Sequence, residues 1–141
     1  MSFPFNKFNQ FTKDLIEGVH VFGSNTFKTM LCNTAPTSSN AILSDLTEIG
    51  TGNGYSAGGT TSTMTTSTSS GTAKATLGQV VFTASGGTIG PLRYTVAYNT
   101  TPTSPLKPLV GYYDYGSSIT LNDGETFTVT YDATNGLFTV A

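Results

Sequence analysis

Few side chains in this sequence could perform nucleophilic or acid–base chemistry. His20 is the only histidine and Cys32 the only cysteine of the 141-residue chain. A catalytic thiol needs a base beside it, and nothing around either residue marks such a pair. We therefore expect a packed thiol at Cys32 and a surface or interface imidazole at His20. One Cys and one His also predict no internal disulfide and no zinc site.

The acidic residues are the next candidates for chemistry. Asp123 and Glu125 lie in a sequence typical of a tight hairpin turn, where such side chains serve to bend the backbone. Asp114 and Asp132 each follow a tyrosine near a predicted strand end. None of the four shows the alternating oxygen ligands of a calcium loop. We expect no catalytic residue, no cofactor and no bound metal, and therefore a protein that is not an enzyme.

The glycine-rich stretch 50–59 has the composition of a loop that could cradle a phosphate group. That interpretation requires a Lys next to Ser or Thr and then a helix. The residues that follow, 60–70, are Thr and Ser with one Met. The sequence therefore favours a surface loop with several positive-φ positions.

The overall composition is poor in charge and rich in hydroxyl groups. Charged residues make up 10% of the chain, which has 27 Thr, 14 Ser and a net charge of −2, against about 25% charged residues in an average soluble domain. Without a basic excess the chain is not expected to bind nucleic acid. No apolar run approaches the length of a membrane helix, and the first residues lack the order of a secretory signal. We therefore expect no membrane partner. The single unpaired Cys is compatible with assembly in a reducing cytoplasm.

Residues 3–20 show the helical period. Apolar residues recur at three- and four-residue steps at Phe5, Phe8, Phe11, Leu15 and Val19, which predicts one amphipathic helix of about four turns. A helix of this length is not stable alone in water. It must lie on the protein's own sheet, on a neighbouring subunit or on another protein.

From residue 24 onward the period changes to two. Turn signals about every eight to twelve residues divide this part into seven or eight short strands, which is typical of an antiparallel β-sandwich, jelly-roll-like or Ig-like. The Thr-rich segment 60–70 fits disorder, but Thr also fits a pleated surface, and we favour an edge strand with few core contacts. Residues 41–49 fit either a helical turn or a strand. We expect a single domain over residues 1–141, mainly β, with the helix at 3–20 and the sandwich at 24–141.

Aromatic residues are the main candidates for binding. Tyrosines concentrate in the second half of the chain, and a Tyr-rich face can stack on sugars, bury at a protein interface or form part of the core. The Phe residues of the predicted helix could form an adhesive segment. The candidate interface therefore comprises Phe5, Phe8, Phe11, Leu15, Tyr112, Tyr113 and Tyr115.

Several segments carry a resemblance to a known group of proteins. They are FTASGGTIGPLRY at 82–94, AYN at 97–99, GYYDYGSSITL at 111–121 and DGETFTV at 123–129, together with LIEGVH at 15–20 and GNGYSAGG at 52–59. In these segments the chain resembles small structural proteins of tailed bacteriophages. The resemblance implies a virion component of the cement or decoration type, which is commonly a β-sandwich and frequently a homotrimer. This group offers no catalytic motif to match, so no functional residue is carried over from it.

Two functional hypotheses follow. In the first, the protein binds the outer surface of the capsid at junctions between subunits of the major capsid protein and stabilises the head of the virion. In the second, it belongs to a tail, fibre or baseplate and attaches to host-surface glycans through its tyrosines.

Overall fold

The chain forms ten strands, one α-helix and one 3-10 turn within residues 5–141, which are the residues that the computed structural model describes. The strands are β1 Asn6–Lys7, β2 Phe27–Cys32, β3 Thr60–Ser62, β4 Met64–Ser69, β5 Thr72–Leu77, β6 Val80–Thr83, β7 Ile89–Asn99, β8 Leu109–Leu121, β9 Thr126–Val129 and β10 Phe138–Val140. The helix α1 spans Asn9–Ile16, and the 3-10 turn spans Leu43–Asp45.

The strands form three antiparallel sheets. The largest has the order β1-β8-β7-β2-β3, the second β10-β5-β4, and the third consists of β6 and β9. One core, which we call the inner core, lies between the five-stranded sheet and the two smaller sheets. It contains Phe27 and Leu31 of β2, Leu77 of β5, Phe82 of β6 and Val129 of β9. The predicted mainly-β antiparallel sandwich is therefore confirmed.

The opposite face of the five-stranded sheet is buried as well. A second cluster, the outer core, contains Met30, Val96, Tyr98 and Leu109, and Phe8 covers them from the N-terminal segment. Because both faces are covered, every residue of β7 from 94 to 99 is buried. The alternating sequence at 92–98 predicts a strand with one buried and one polar face, and the structure buries both faces instead.

The N-terminal segment differs from its prediction. The helix is eight residues long, and Asn6 and Lys7 pair with Tyr112 and Gly111 as an edge strand of the large sheet. The predicted helix over 3–20 is therefore wrong in extent, although residues 3 and 4 lie outside the described part of the chain. The helical spacing of the Phe residues cannot predict this short strand, because the strand forms by pairing with β8, which lies far away in the sequence.

The Thr-rich segment is ordered and lies at an edge, as predicted. It forms β3 and β4, and five of the six residues of β4 are exposed. The 41–49 segment contains the short helical turn that was one of its two predicted alternatives. Residues 109–121 form one strand of 13 residues, in which Gly116 has a φ of 95°. The sequence pattern predicts two separate strands here, at 109–115 and at 118–121, but Gly116 and Ser117 do not divide the observed strand.

The sequence Asn135-Gly136 predicts a hairpin turn, which would join two paired strands. This prediction is wrong, because β9 pairs with β6 and β10 pairs with β5. The strands on either side of the turn therefore belong to different sheets. Asp132 stabilises the turn by accepting hydrogen bonds from the backbone N–H groups of Thr134 and Asn135, both at 2.9 Å.

The position of Phe8 predicts a large effect on stability. Its side chain is fully buried against the outer core, and truncating a buried Phe costs about 3–5 kcal/mol. We expect Phe8→Ala to lower the free energy of unfolding by that amount. The matched control is Ile16→Ala, at the end of the helix that begins directly after Phe8 and at 86% exposure, which should change the free energy of unfolding by less than about 0.5 kcal/mol. Urea titration followed by circular dichroism measures both, and equal midpoints for Phe8→Ala and the wild type contradict the placement.

Candidate interaction surface

The apolar residues of the predicted interface contact the protein's own sheets. Phe8 and Phe11 are 0% and 4% exposed, one in the outer core and the other in the inner core. Phe5 and Leu15 are half-buried against the inner core, and the ring of Phe5 lies 5.1 Å from that of Tyr113. Of the three alternatives for this segment, the structure shows contact with its own sheets. A partner could reach Phe8 or Phe11 only if they left the core.

The three candidate tyrosines of β8 do not form one face. Tyr113 packs toward the inner core, 5.5 Å from the Tyr131 ring, and Tyr115 on the same side lies 5.6 Å from the Phe127 ring. Tyr112 points to the other side and contacts Phe8 and the outer core. Tyr115 has the greatest exposure of the three, at 37%. The predicted Tyr-rich surface is therefore divided between the two sides of the sheet.

The glycine-rich segment 50–59 forms a loop that the protein's own side chains hold in place. Gly58 and Gly59 have φ values of 86° and 82°, as expected for positive-φ positions. The carboxylate of Glu48 accepts hydrogen bonds from the Gly58 N–H at 2.6 Å and the Tyr55 hydroxyl at 2.7 Å. The Tyr98 hydroxyl donates to the Gly58 carbonyl at 2.6 Å. The loop is thus tied to the large sheet.

Cys32 and His20 lie on opposite sides of the five-stranded sheet. Cys32 is fully buried in the outer core, as expected for a packed thiol, and burial together with the charge of Glu48 raises its pKa to about 12. His20 packs against Phe11 and Phe27 of the inner core. The sequence predicts a surface or interface imidazole, but His20 is 4% exposed and lies within the protein's own core. The two side chains do not form a catalytic pair.

His20 belongs to a buried polar cluster. Its Nδ1 accepts a hydrogen bond from the Asn99 amide at 3.1 Å, which places the proton of the neutral ring on Nε2. The same amide donates to Asn25 at 2.8 Å. Within the described chain, His20 Nε2 and Asp14 Oδ2 are buried without a hydrogen-bond partner. An unpaired buried polar atom costs about 1–3 kcal/mol, so this cluster is a weak point of the inner core.

The acidic candidates each bind a neighbouring group, and their carboxylates do not come together in one site. Asp114 forms a bidentate ion pair with Arg93, with N–O distances of 2.8 and 3.2 Å, and this pair lowers the pKa of Asp114. Asp123 accepts a hydrogen bond from the backbone of Gly86, and Glu125 accepts one from Asn122 in the turn. Over residues 5–141 there is no group of three or more His, Cys, Asp or Glu side chains placed to hold a metal ion.

A surface that the sequence did not single out lies on the three-stranded sheet. Ala75 and Leu77 of β5 face the inner core, so the alternate residues face outward. The strand register places these residues side by side. We call this surface the hydroxyl face; it consists of Thr65, Ser67, Ser69, Thr72, Lys74, Thr76 and Thr139. A period-two reading of 65–76 could have found it, because Ser and Thr occupy every outward position except that of Lys74.

The hydroxyl face carries one charged side chain. Lys74 Nζ donates hydrogen bonds to the carbonyl oxygens of Ala133 and Thr134, at 3.3 and 3.0 Å. Beside it lies an open recess of about 240 Å³, lined by five hydroxyl residues together with Lys74 and Asn135. This surface therefore offers hydroxyl and amide groups for hydrogen bonds and little net charge.

Comparison of the chain with protein-family models, with curated proteins and with solved structures finds no match. No helix in the described part of the chain is long and apolar enough to cross a membrane.

The buried histidine predicts a loss of stability in mild acid. Burial lowers the pKa of His20 from about 6.5 to about 4, so the unfolded chain binds a proton in this window that the folded chain does not. Stability therefore falls as the pH falls through it, and we expect a loss of about 2 kcal/mol between pH 7 and pH 5. Carboxylates with lowered pKa values, such as that of Asp114, lose their contribution only below about pH 4.

His20→Gln is the matched variant for this prediction. Its side-chain carbonyl can still accept from the Asn99 amide, but it does not titrate. Denaturant unfolding at the two pH values should show a clearly smaller difference for His20→Gln than for the wild type. Equal differences in the two proteins would assign the pH dependence to other groups.

Proposed function

We propose that this protein is a capsid decoration protein of a tailed bacteriophage, which binds the outer surface of the major capsid protein shell and stabilises the head. Two observations support the proposal. The first is the resemblance of the segments between residues 82 and 129 to phage structural proteins. The second, and the one structural observation that carries the proposal, is the hydroxyl face. On this face an exposed sheet offers short, nearly uncharged side chains to a second surface.

The physical properties of the hydroxyl face suit repeated docking. Ordering long charged side chains costs the most conformational entropy, and this face contains one such side chain, Lys74. Decoration also places many copies close together, where like charges on neighbouring copies would repel each other. A face of Thr and Ser avoids both costs and can still form hydrogen bonds with a partner.

The proposal also states the location of the protein and its binding partner. It is made in the host cytoplasm and resides on the virion surface, with the major capsid protein as its partner. The resemblance also implies a homotrimer. That number of subunits is a prediction separate from the capsid proposal, and it competes with the homodimer that we infer below from an open strand edge; the molar mass in solution decides between them. The proposed role is structural and requires no cofactor.

The recess beside Lys74 supports a second candidate function. Its hydroxyl and amide groups are of the kind that bind the hydroxyl groups of sugars, which would suit a tail, fibre or baseplate component attached to host-surface glycans. The division of the tyrosines between two sides of the sheet weakens this candidate, because stacking on sugars needs aromatic rings on one surface.

The copy number in the virion separates the two functions. We expect quantitative mass spectrometry of purified virions to give a copy number of the same order as that of the major capsid protein. A number limited to that of a tail or a single vertex would favour attachment. Absence of the protein from clean virions would overturn both proposals.

A binding experiment tests the surface itself. Thr76 faces outward from the central strand of the three-stranded sheet, so Thr76→Glu places a carboxylate within the hydroxyl face. We expect this variant to bind capsids that lack the protein at least about tenfold more weakly in co-sedimentation, because the charge must be desolvated in the contact. The matched control is Thr12→Glu, an exposed position on α1. Weakening by Thr12→Glu and not by Thr76→Glu would place the contact on the N-terminal segment.

A further inference from the structure

Strand β4 leaves one edge of the three-stranded sheet open. The sheet order is β10-β5-β4, and no strand within residues 5–141 pairs with the outer edge of β4. The strand has six residues, Met64–Ser69, with the sequence MTTSTS. Natural edge strands are commonly protected by Lys, Pro, a bulge or short length. None of these protects β4, which pairs with β5 over six consecutive residues without a bulge.

The β4–β5 hairpin determines which backbone groups point outward. Its loop consists of Ser70 and Gly71, with φ values of 50° and 82°, as in a two-residue hairpin turn with positive φ at both positions. At the other end of the pair, the Gly78 N–H donates to the Thr63 carbonyl at 2.7 Å. Opposed residues alternate between hydrogen-bonded and non-hydrogen-bonded pairs. The odd-numbered residues of β4 therefore direct their N–H and C=O groups toward β5.

The even-numbered residues consequently direct theirs away from the sheet. Met64, Thr66 and Thr68 present a row of N–H and C=O groups along the open edge. These groups are separated by two residues, which is the spacing that a further antiparallel strand requires. The edge is thus a template for a strand of matching length.

We propose that this edge pairs with the same edge of a second copy of the chain, about a two-fold axis through Thr66, and that the protein forms a homodimer. In this register Thr66 lies opposite Thr66 of the second copy, and Met64 lies opposite Thr68. Each of these pairs is hydrogen-bonded, so the contact contains about six backbone hydrogen bonds. The result is a continuous sheet of six strands, β10-β5-β4 and its two-fold copy.

The chemistry of β4 favours its own copy as the partner. The strand carries no charged side chain, so antiparallel self-pairing brings no like charges together. The register preserves the sides of the sheet: the outward Thr65 lies opposite Ser67 of the second copy, and Thr66 lies opposite Thr66. Thr–Thr and Thr–Ser pairs across antiparallel strands are favourable. Lys74, on the neighbouring strand, is already held by carbonyl oxygens.

The dimer is independent of the capsid proposal. Its contact uses the edge of β4, whereas capsid binding uses the outward face of the sheet. Failure of capsid binding with an intact dimer would count against the proposed function alone. A monomeric protein that binds capsids would count against the dimer alone.

Paired charge variants at Thr66 test the contact and its register. Light scattering coupled to size-exclusion chromatography should give the wild type a molar mass of about twice the 14.7 kDa chain. Thr66→Lys and Thr66→Glu each place like charges directly opposite each other, so each variant alone should have the mass of one chain. Mixing the two variants should restore the double mass, because Lys and Glu then face each other across the two-fold axis.

The control is Thr12→Lys, at an exposed position of α1 far from β4 in sequence, which should remain dimeric. Circular dichroism confirms that each variant is folded, and recovery on mixing excludes misfolding as the cause of a monomer. A wild-type monomer at all concentrations, a trimer, or a dimer that persists in both Thr66 variants would each overturn the proposal.

Discussion

Burial of both faces of the five-stranded sheet is the constraint on which the rest of the structure depends. The smaller sheets cover one face, and Phe8 together with Leu43 and Leu46 covers the other. Polar groups on the central strands must then find partners inside the protein. Thr29 meets this need by bonding the hydroxyls of Ser62 and Tyr131, at 2.8 and 2.7 Å. The Asn99 amide does so through His20 and Asn25.

The same constraint decides what is left for the surface. The five-stranded sheet has a core on each face, and these two cores bury most of the large aromatic side chains. The buried side chains include the Phe residues that the sequence analysis considered as an adhesive segment. The three-stranded sheet has only one face to bury, and its outward face is filled by Thr and Ser apart from Lys74. This outward face is therefore polar with one charged side chain, and both proposed contacts use hydrogen-bonding groups of the three-stranded sheet. One contact uses its side chains and the other its backbone.

Local patterns predicted the strands better than the contacts between them. The period-two pattern of 26–32 predicts Phe27 and Leu31 on one face of a strand, and both lie in the inner core. The Thr-rich composition correctly indicated an edge strand. Both predictions rest on properties of a single segment. The helix was predicted too long at its start because Asn6 pairs with Tyr112 as a strand, and a pairing between such distant parts of the chain leaves no local pattern. The partner of β10 was missed for the same reason. At the candidate site, the period of two predicts that Tyr112 and Tyr113 point to opposite faces of the strand. It does not predict which core each face contacts, because that depends on how the whole chain packs.

The pairing of β1 with β8 has a consequence for protein synthesis. Asn6 and its partner Tyr112 are separated by roughly a hundred residues, which a ribosome adds in about 5–20 s. During that interval the Phe residues near the start of the described chain have no sheet to cover, because both cores require β8. The nascent chain therefore exposes an aromatic segment until its second half emerges. Apolar surface exposed during synthesis in this way favours aggregation until the sheet has formed.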